Sequence, residues 1–332
     1  MIKHNKIKFV GSNSITKTKV FIMFLLITSF ILVMSLILTL GKNGFQDANK
    51  IFDINKNLII VIPISSASLS IASLLLQQLS KNRLADNSVL GLGNINLIVL
   101  MSLIFIVDFN SDYSVNNYLN IYPFLFIIFS MLSCFLIFLF SYKKNKNISK
   151  KFIIVGIIFN FTFLSVSSSL DVFLPSGKSA SLKQFINGFI DTSRDIPIFV
   201  SLAGFIVGTI WLAFIFQKFK ICNTSYSIAK SLGINSNSIN LQILLICGLL
   251  SGVAFTLVGN LTFLGLIAGN ISSFIFKKNY SYSFPGSCLI GSIIVGFAFL
   301  INKNILESNI NTPGIIPLIG IPYFIYLILK EK

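Results

Sequence analysis

Apolar positions along this 332-residue chain fall into long blocks separated by short polar segments. A helix that crosses the hydrocarbon of a bilayer needs about 20 predominantly apolar residues. Ten blocks read as such spans: Val20–Leu40, Leu58–Leu79, Asn94–Val107, Leu119–Tyr142, Phe152–Leu170, Ile196–Phe216, Leu241–Val258, Leu261–Phe276, Ser287–Ile301 and Ile315–Leu329. The third, eighth and ninth are short, and are expected to be tilted, partly buried in protein, or longer than these bounds. The pattern predicts an all-α integral membrane protein of about ten transmembrane helices. It forms one domain over 1–332, with a polar tail at 1–19 and a longer polar loop at 218–240. The run after Met1–Lys19 is too long for a signal-peptide core and lacks a small-x-small cleavage site, so it is expected to stay as the first span.

Charge tests the span count. With the N-terminus placed in the cytoplasm and sides alternating, the cytoplasmic segments, both termini among them, hold 19 of the 26 Lys and Arg residues. The external segments hold 8 of the 10 acids. Cytoplasmic loops of membrane proteins carry this excess of Lys and Arg, and one helix more or fewer would scramble it.

Composition then narrows the function. The chain is 54% hydrophobic and 11% charged, against about 25% charged in soluble domains. The net charge of +16 sits between the apolar blocks, so it marks membrane sidedness and not a nucleic-acid partner. Cys134, Cys222, Cys247 and Cys288 form no CxxC pair, and His4 is the single histidine. No disulfide, metal site or cofactor is expected from such a set. No span carries an ionisable residue at its middle, whereas proton- or sodium-driven carriers mark their ion path with such groups. Gly177-Lys178-Ser179 ends a P-loop pattern, but Val172 occupies the first glycine's place. The chain is therefore expected to be no enzyme, and a transport subunit worked by a separate ATPase fits both absences. An unrelated secondary transporter, a membrane enzyme and an assembly protein are the rival classes; the first two lack the buried groups they would need.

Four segments carry more specific information. Gln77, Asn82, Leu84, Ala85, Asp86, Leu90 and Gly91 follow the spacing Q-x4-N-x-L-A-D-x3-L-G after span two. As local chemistry this is a polar turn, with Asp86 or Asn87 able to cap a helix. In loop 218–240, Ser225–Gly233 reads as a two-turn helix. Thr224 or Ser225 caps its start, Gly233 takes a left-handed C′ position, and Ile228, Ala229 and Leu232 form a small apolar face. Asn237 or Ser238 can cap the next helix. Gly259, Phe263, Gly265 and Leu266 precede Gly269-Asn270, where the glycines suit close helix packing. Near the C-terminus, Pro317 and Pro322 break the last span around Gly320.

These motifs, over about residues 54–329, resemble the FecCD-type permease family, whose members import iron–siderophores, haem and cobalamin. Arg83 and Asn87 stand where the family has prolines, and Asn270 where histidine is usual, a feature of a catecholate-siderophore branch. The resemblance implies a type II ABC importer permease with cytoplasmic termini. It implies a second permease subunit, a different chain in preference to a second copy. Two cytoplasmic ATP-binding subunits and an extracytoplasmic siderophore-binding protein complete the assembly. Cargo is an iron(III)-siderophore, with haem or cobalamin as the alternative. Ser225, Ile228, Ala229, Leu232 and Gly233 would dock on the ATPase; folding of that helix onto its own bundle is the competing reading. Asn160, Ser167, Pro317 and Gly320 would line the translocation path, unless they serve helix packing. Lys56, Lys303 and Arg194 would meet the acidic knobs of the binding protein, unless they are solvated loop charges.

Overall fold

The computed structural model describes residues 12–40, 52, 55–106, 120–142, 149–173, 188, 190, 194–276, 279–304, 314–318, 320, 322, 325 and 329. They form ten helices: α1 Ser12–Thr39, α2 Leu58–Ser80, α3 Leu92–Ile106, α4 Tyr122–Ser141, α5 Ser149–Val172, α6 Asp195–Thr224, α7 Tyr226–Ser231, α8 Ser236–Val258, α9 Leu264–Phe276 and α10 Tyr280–Asn304. Residues 314–318 are helical as well, and no strand occurs among the described residues. The tail up to residue 11, the lysine-rich segment 143–148, Pro313 and residues 319, 321, 323, 324 and 326–328 of the tenth predicted span lie outside the described residues.

Seven helices, α1, α2, α4, α5, α6, α8 and α10, are long and apolar enough to cross a membrane. The third and eighth predicted spans are short helices, α3 of 15 residues and α9 of 13. At 1.5 Å per residue they cover about 20–23 Å, less than a hydrocarbon core of about 30 Å, and α9 is largely buried in protein. The ninth is longer than predicted: α10 starts at Tyr280 and carries Pro285 within it. The predicted loop 218–240 is shorter, because α6 continues to Thr224. Its 30 residues make a rod about 45 Å long, which must project past the hydrocarbon.

Helix α2 is the axis of the bundle, wrapped by α8, α9 and α10. Lipid tails are as apolar as leucine, so helices in a bilayer associate through close packing and hydrogen bonds. Helix α2 supplies both. A Cβ at Gly265 of α9 would lie 2.6 Å from the Leu69 carbonyl oxygen, so no larger residue fits that crossing. Ser66 and Ser292 join α2 to α10 through their hydroxyls at 2.8 Å. On the opposite flank α8 meets α4 backbone to backbone: Cβ atoms at Gly248 and Gly252 would stand 2.7 Å from the Ser130 carbonyl oxygen and 2.6 Å from the Ile127 Cα.

Two side chains close the end of α1, whose last carbonyls have no partner within the helix. Asn55 Nδ2 donates to the Ile37 carbonyl at 2.8 Å, and Lys303 Nζ to the Leu40 carbonyl at 3.3 Å.

Candidate functional site

The motif loop between α2 and α3 starts exposed at Lys81 and Arg83, but from Ala85 to Asn87 it is buried. Asp86 is buried, and its carboxyl oxygens accept hydrogen bonds from Ser73 Oγ and, at 2.6 Å, from Ser88 Oγ. Ser73 stands seven residues before the end of α2, about 10 Å inside the bundle at the helical rise. The loop therefore turns back along α2. Irregular backbone at that depth is tolerated only where protein surrounds it, and here the surroundings are explicit. Asn87 Nδ2 reaches the Leu69 carbonyl and Ser73 Oγ, each at 3.4 Å. Asn270 Nδ2 of α9 donates to the Arg83 carbonyl at 2.8 Å.

Other motif residues shape this fold-back. Asn82 Oδ1 accepts from the Leu84 N–H at 2.9 Å. Ala85 is buried, Leu84 half-buried, and Gln77 packs against Gly269. Gly91 has φ +72°, and a Cβ there would come within 2.6 Å of the Asn160 Cα. Both constraints select glycine. Neither Asp86 nor Asn87 caps a helix, as the turn reading had it: α3 starts only at Leu92, and Asp86 is spent on Ser73 and Ser88. Asp86 lies outside the spans, so the lack of ionisable groups at the middle of the spans does not extend to this loop.

Helix α7 follows α6 after one extended residue, Ser225, which occupies the N-cap without a side-chain cap bond. Its hydroxyl instead pairs with that of Ser227 at 2.8 Å. Gly233 ends the turn at φ +71° with open space around it. The predicted apolar face divides: Ile228 and Leu232 are exposed, 52% and 60%, whereas Ala229 is fully buried. Adjacent residues on a helix point about 100° apart, so Ala229 seats α7 on its own chain while Ile228 and Leu232 face outward. The cap of α8 is Asn235, whose side chain accepts from the N–H groups of Asn237 and Ser238 at 3.2 and 3.3 Å, in place of the predicted Asn237 or Ser238.

The residues assigned to a path are not gathered on one open wall. Asn160 accepts a hydrogen bond from Asn94 Nδ2 at 2.8 Å, tying α5 to α3. Ser167 is buried and bonds the Leu164 carbonyl. Gly320 is buried against Ile267, and Pro317 is half-buried. The exposed polar face of α5 is instead Thr162, Ser165 and Ser169. Positions two apart on a helix differ by about 200°, so Thr162 and Ser169 point away from the face of Asn160 and Ser167. Of the docking residues, Lys56 and Arg194 are exposed. Lys303 is half-buried and already engaged, on the Leu40 carbonyl and over the Phe299 ring at 6.0 Å. No group of three or more metal-ligating side chains occurs among the described residues.

Comparison with known proteins places this architecture. The profile of the FecCD transport family matches residues 10–330. The chain is similar to the petrobactin import system permease protein YclO of Bacillus subtilis (strain 168). They are 24% identical over 279 residues, which cover 82% of this chain and 87% of that protein. It is also similar to the iron-uptake system permease protein FeuC of the same organism, at 25% identity over 291 residues, 85% of this chain and 84% of that one. Among solved structures, an inward-facing metal-chelate type ABC transporter superposes with a TM-score of 0.80 at 19% identity, covering 94% of this chain and 99% of its own.

Proposed function

Because the chain belongs to the FecCD transport family, as a multi-pass permease of the bacterial plasma membrane, we propose that it carries an iron(III)–siderophore complex into the cytoplasm. It does so as one half of a permease pair, with two ATP-binding subunits on the cytoplasmic side and a siderophore-binding protein outside. Both termini are cytoplasmic in this reading. The observation that carries it is helix α7: a six-residue helix at the end of a rod longer than the hydrocarbon core, seated by Ala229, with Ile228 and Leu232 turned outward. Two large apolar side chains exposed on a surface helix fit a protein groove better than water.

The names of the relatives support the breadth of the cargo class. They include petrobactin, Fe(3+)-hydroxamate and Fe(3+)-citrate import. The narrower choice of a catecholate rests on Asn270 alone. In this chain that side chain is occupied by the Arg83 and Leu266 carbonyls, which gives it a structural duty whatever the cargo. Lys56 and Arg194 remain the proposed contacts for the binding protein. An exposed ion pair contributes about 0–1 kcal/mol, so Lys56→Glu with Arg194→Glu should slow capture at low salt and little at high salt.

The decisive experiment is Leu232→Asp, assayed by uptake of 55Fe-siderophore in cells and by co-purification of the ATP-binding subunit. Uptake and co-purification should both be lost, with the permease still in the membrane. Retention of both would remove the docking reading.

A further inference from the structure

Three polar side chains close a triangle where the end of α2, the end of α6 and the start of α10 meet. Asn223 Nδ2 donates to Tyr280 Oη at 2.7 Å and to Gln78 Oε1 at 3.1 Å. Tyr280 Oη donates to the same Gln78 oxygen at 3.2 Å. Both amide hydrogens of Asn223 and the phenolic hydrogen are thus used within the triangle. The Tyr280 ring is fixed in turn by Phe216 and Phe219 of α6, at 6.3 and 6.5 Å, and is stacked on Phe284 at 6.4 Å. Phe219 is fully buried. A closed, half-buried polar network with an aromatic brace holds its members in one arrangement more firmly than sliding apolar surfaces do.

Each corner lies next to a segment already described. Asn223 is two residues before Ser225, and the Ser225 N–H still bonds the Ile221 carbonyl at 3.1 Å, so the turn into α7 has no slack. Gln78 is three residues before Lys81, where the fold-back loop begins, and the Asn82 N–H is already bonded to Ser80 Oγ at 3.2 Å. The exposed helix and the loop are thereby joined through Asn223, to Gln78 directly and by way of Tyr280.

We propose that the Asn223–Gln78–Tyr280 triangle couples α7 to loop 81–91, so that a displacement of α7 carries the end of α2 and the loop with it. These are positioning residues: they touch neither cargo nor nucleotide. The proposal rests on the permease reading above.

The test uses the full complex, with its ATP-binding subunits, in proteoliposomes, and needs no cargo. Leu84→Cys places a thiol on the half-buried loop, and its reaction with a membrane-impermeant maleimide is timed without nucleotide and with ATP–vanadate. The rate should differ between the two states in the parent complex. Tyr280→Phe keeps the ring and removes the hydroxyl; Asn223→Ala opens the triangle; each should reduce that difference about fivefold while ATP hydrolysis continues. The double variant should do no more than Asn223→Ala alone, because both break one network. Gln78→Met, which keeps length and loses the acceptor, guards against a variant that fails to assemble. If the parent responds to nucleotide and all the variants respond equally, the coupling role is overturned. If the parent complex does not form or does not respond, the permease reading falls, and the coupling with it.

Discussion

Helices α2 and α5 are alike as sequences: each is an apolar run salted with serines and free of central charge. In the structure they are opposites. The most apolar stretch of α2 is 83% buried inside the protein, that of α5 only 17%. The serines of α2 are buried; Ser65, Ser66 and Ser80 bond carbonyls of their own helix, but Ser66 also reaches Ser292 and Ser73 reaches Asp86. Thr162, Ser165 and Ser169 of α5, by contrast, bond carbonyls of their own helix and face outward. Hydropathy measures what a helix avoids, which is water. It does not measure what the helix touches, because lipid and protein interior are equally apolar. The difference lies in the neighbours: Gly265, Gly269 and Gly291 open room for α2, whereas Thr162, Ser165 and Ser169 on the outer face of α5 are exposed.

The comparison breaks most readily at a helix crossing. Gly265→Leu drives a side chain into the Leu69 carbonyl, and overpacking of this kind costs about 1–3 kcal/mol. Ser165→Leu on α5 should stay within about 0.5 kcal/mol. Thermal melting of the detergent-purified variants checks both, and equal shifts would mean that the two helices are not in different environments. Next in size is Asp86→Ala, which leaves Ser73 and Ser88 without their acceptor, at about 1–3 kcal/mol for an unmade buried bond. Uptake should be lost, with Ser73→Ala showing a smaller defect. Full uptake by Asp86→Ala would mean that the fold-back of the loop is dispensable. A smaller effect belongs to Asn160→Ala, because interhelical hydrogen bonds in membranes average about 0.6 kcal/mol. Cysteine labelling sharpens the same contrast: a thiol at 165 should react with a water-soluble reagent during turnover, and one at 160 should be protected beneath Asn94. The reverse order of reactivity would restore Asn160 to the path.

How far the sequence could be read follows from the same physics. Most span positions were legible because apolar runs and basic gaps are long-range signals. The start of α10 was not, since Tyr280–Pro285 holds two tyrosines, two serines and a proline that do not look like membrane. The GxxxG spacing of Gly248 and Gly252 is a signal for a close helix contact, but it does not say that α4 is the partner. The second half of the loop was illegible in kind: Lys81 and Arg83 are exposed as their charges announce, but Asp86 and Asn87 announce water and are buried, on partners such as Ser73, thirteen residues from Asp86. The motif spacing picks out Asp86, while its partner Ser73 carries no local mark, and neither do Asn94 and Asn223, which tie Asn160 and Gln78. Helix α7 was read correctly as a helix, but assigning its face depended on whether Ile228 or Ala229 turns inward.

The closure of α1 has a consequence for how the protein is made. Its last carbonyl is held by Lys303, 263 residues further along the chain, and its packing partner is α10. At synthesis rates of about 5–20 residues per second, the first helix waits roughly 13–50 s for the segment it will rest against. Throughout that interval it must persist as a lone rod among acyl chains. A membrane-lodged orphan of this kind tolerates no charge along its middle, and from Val20 to Leu40 it has none.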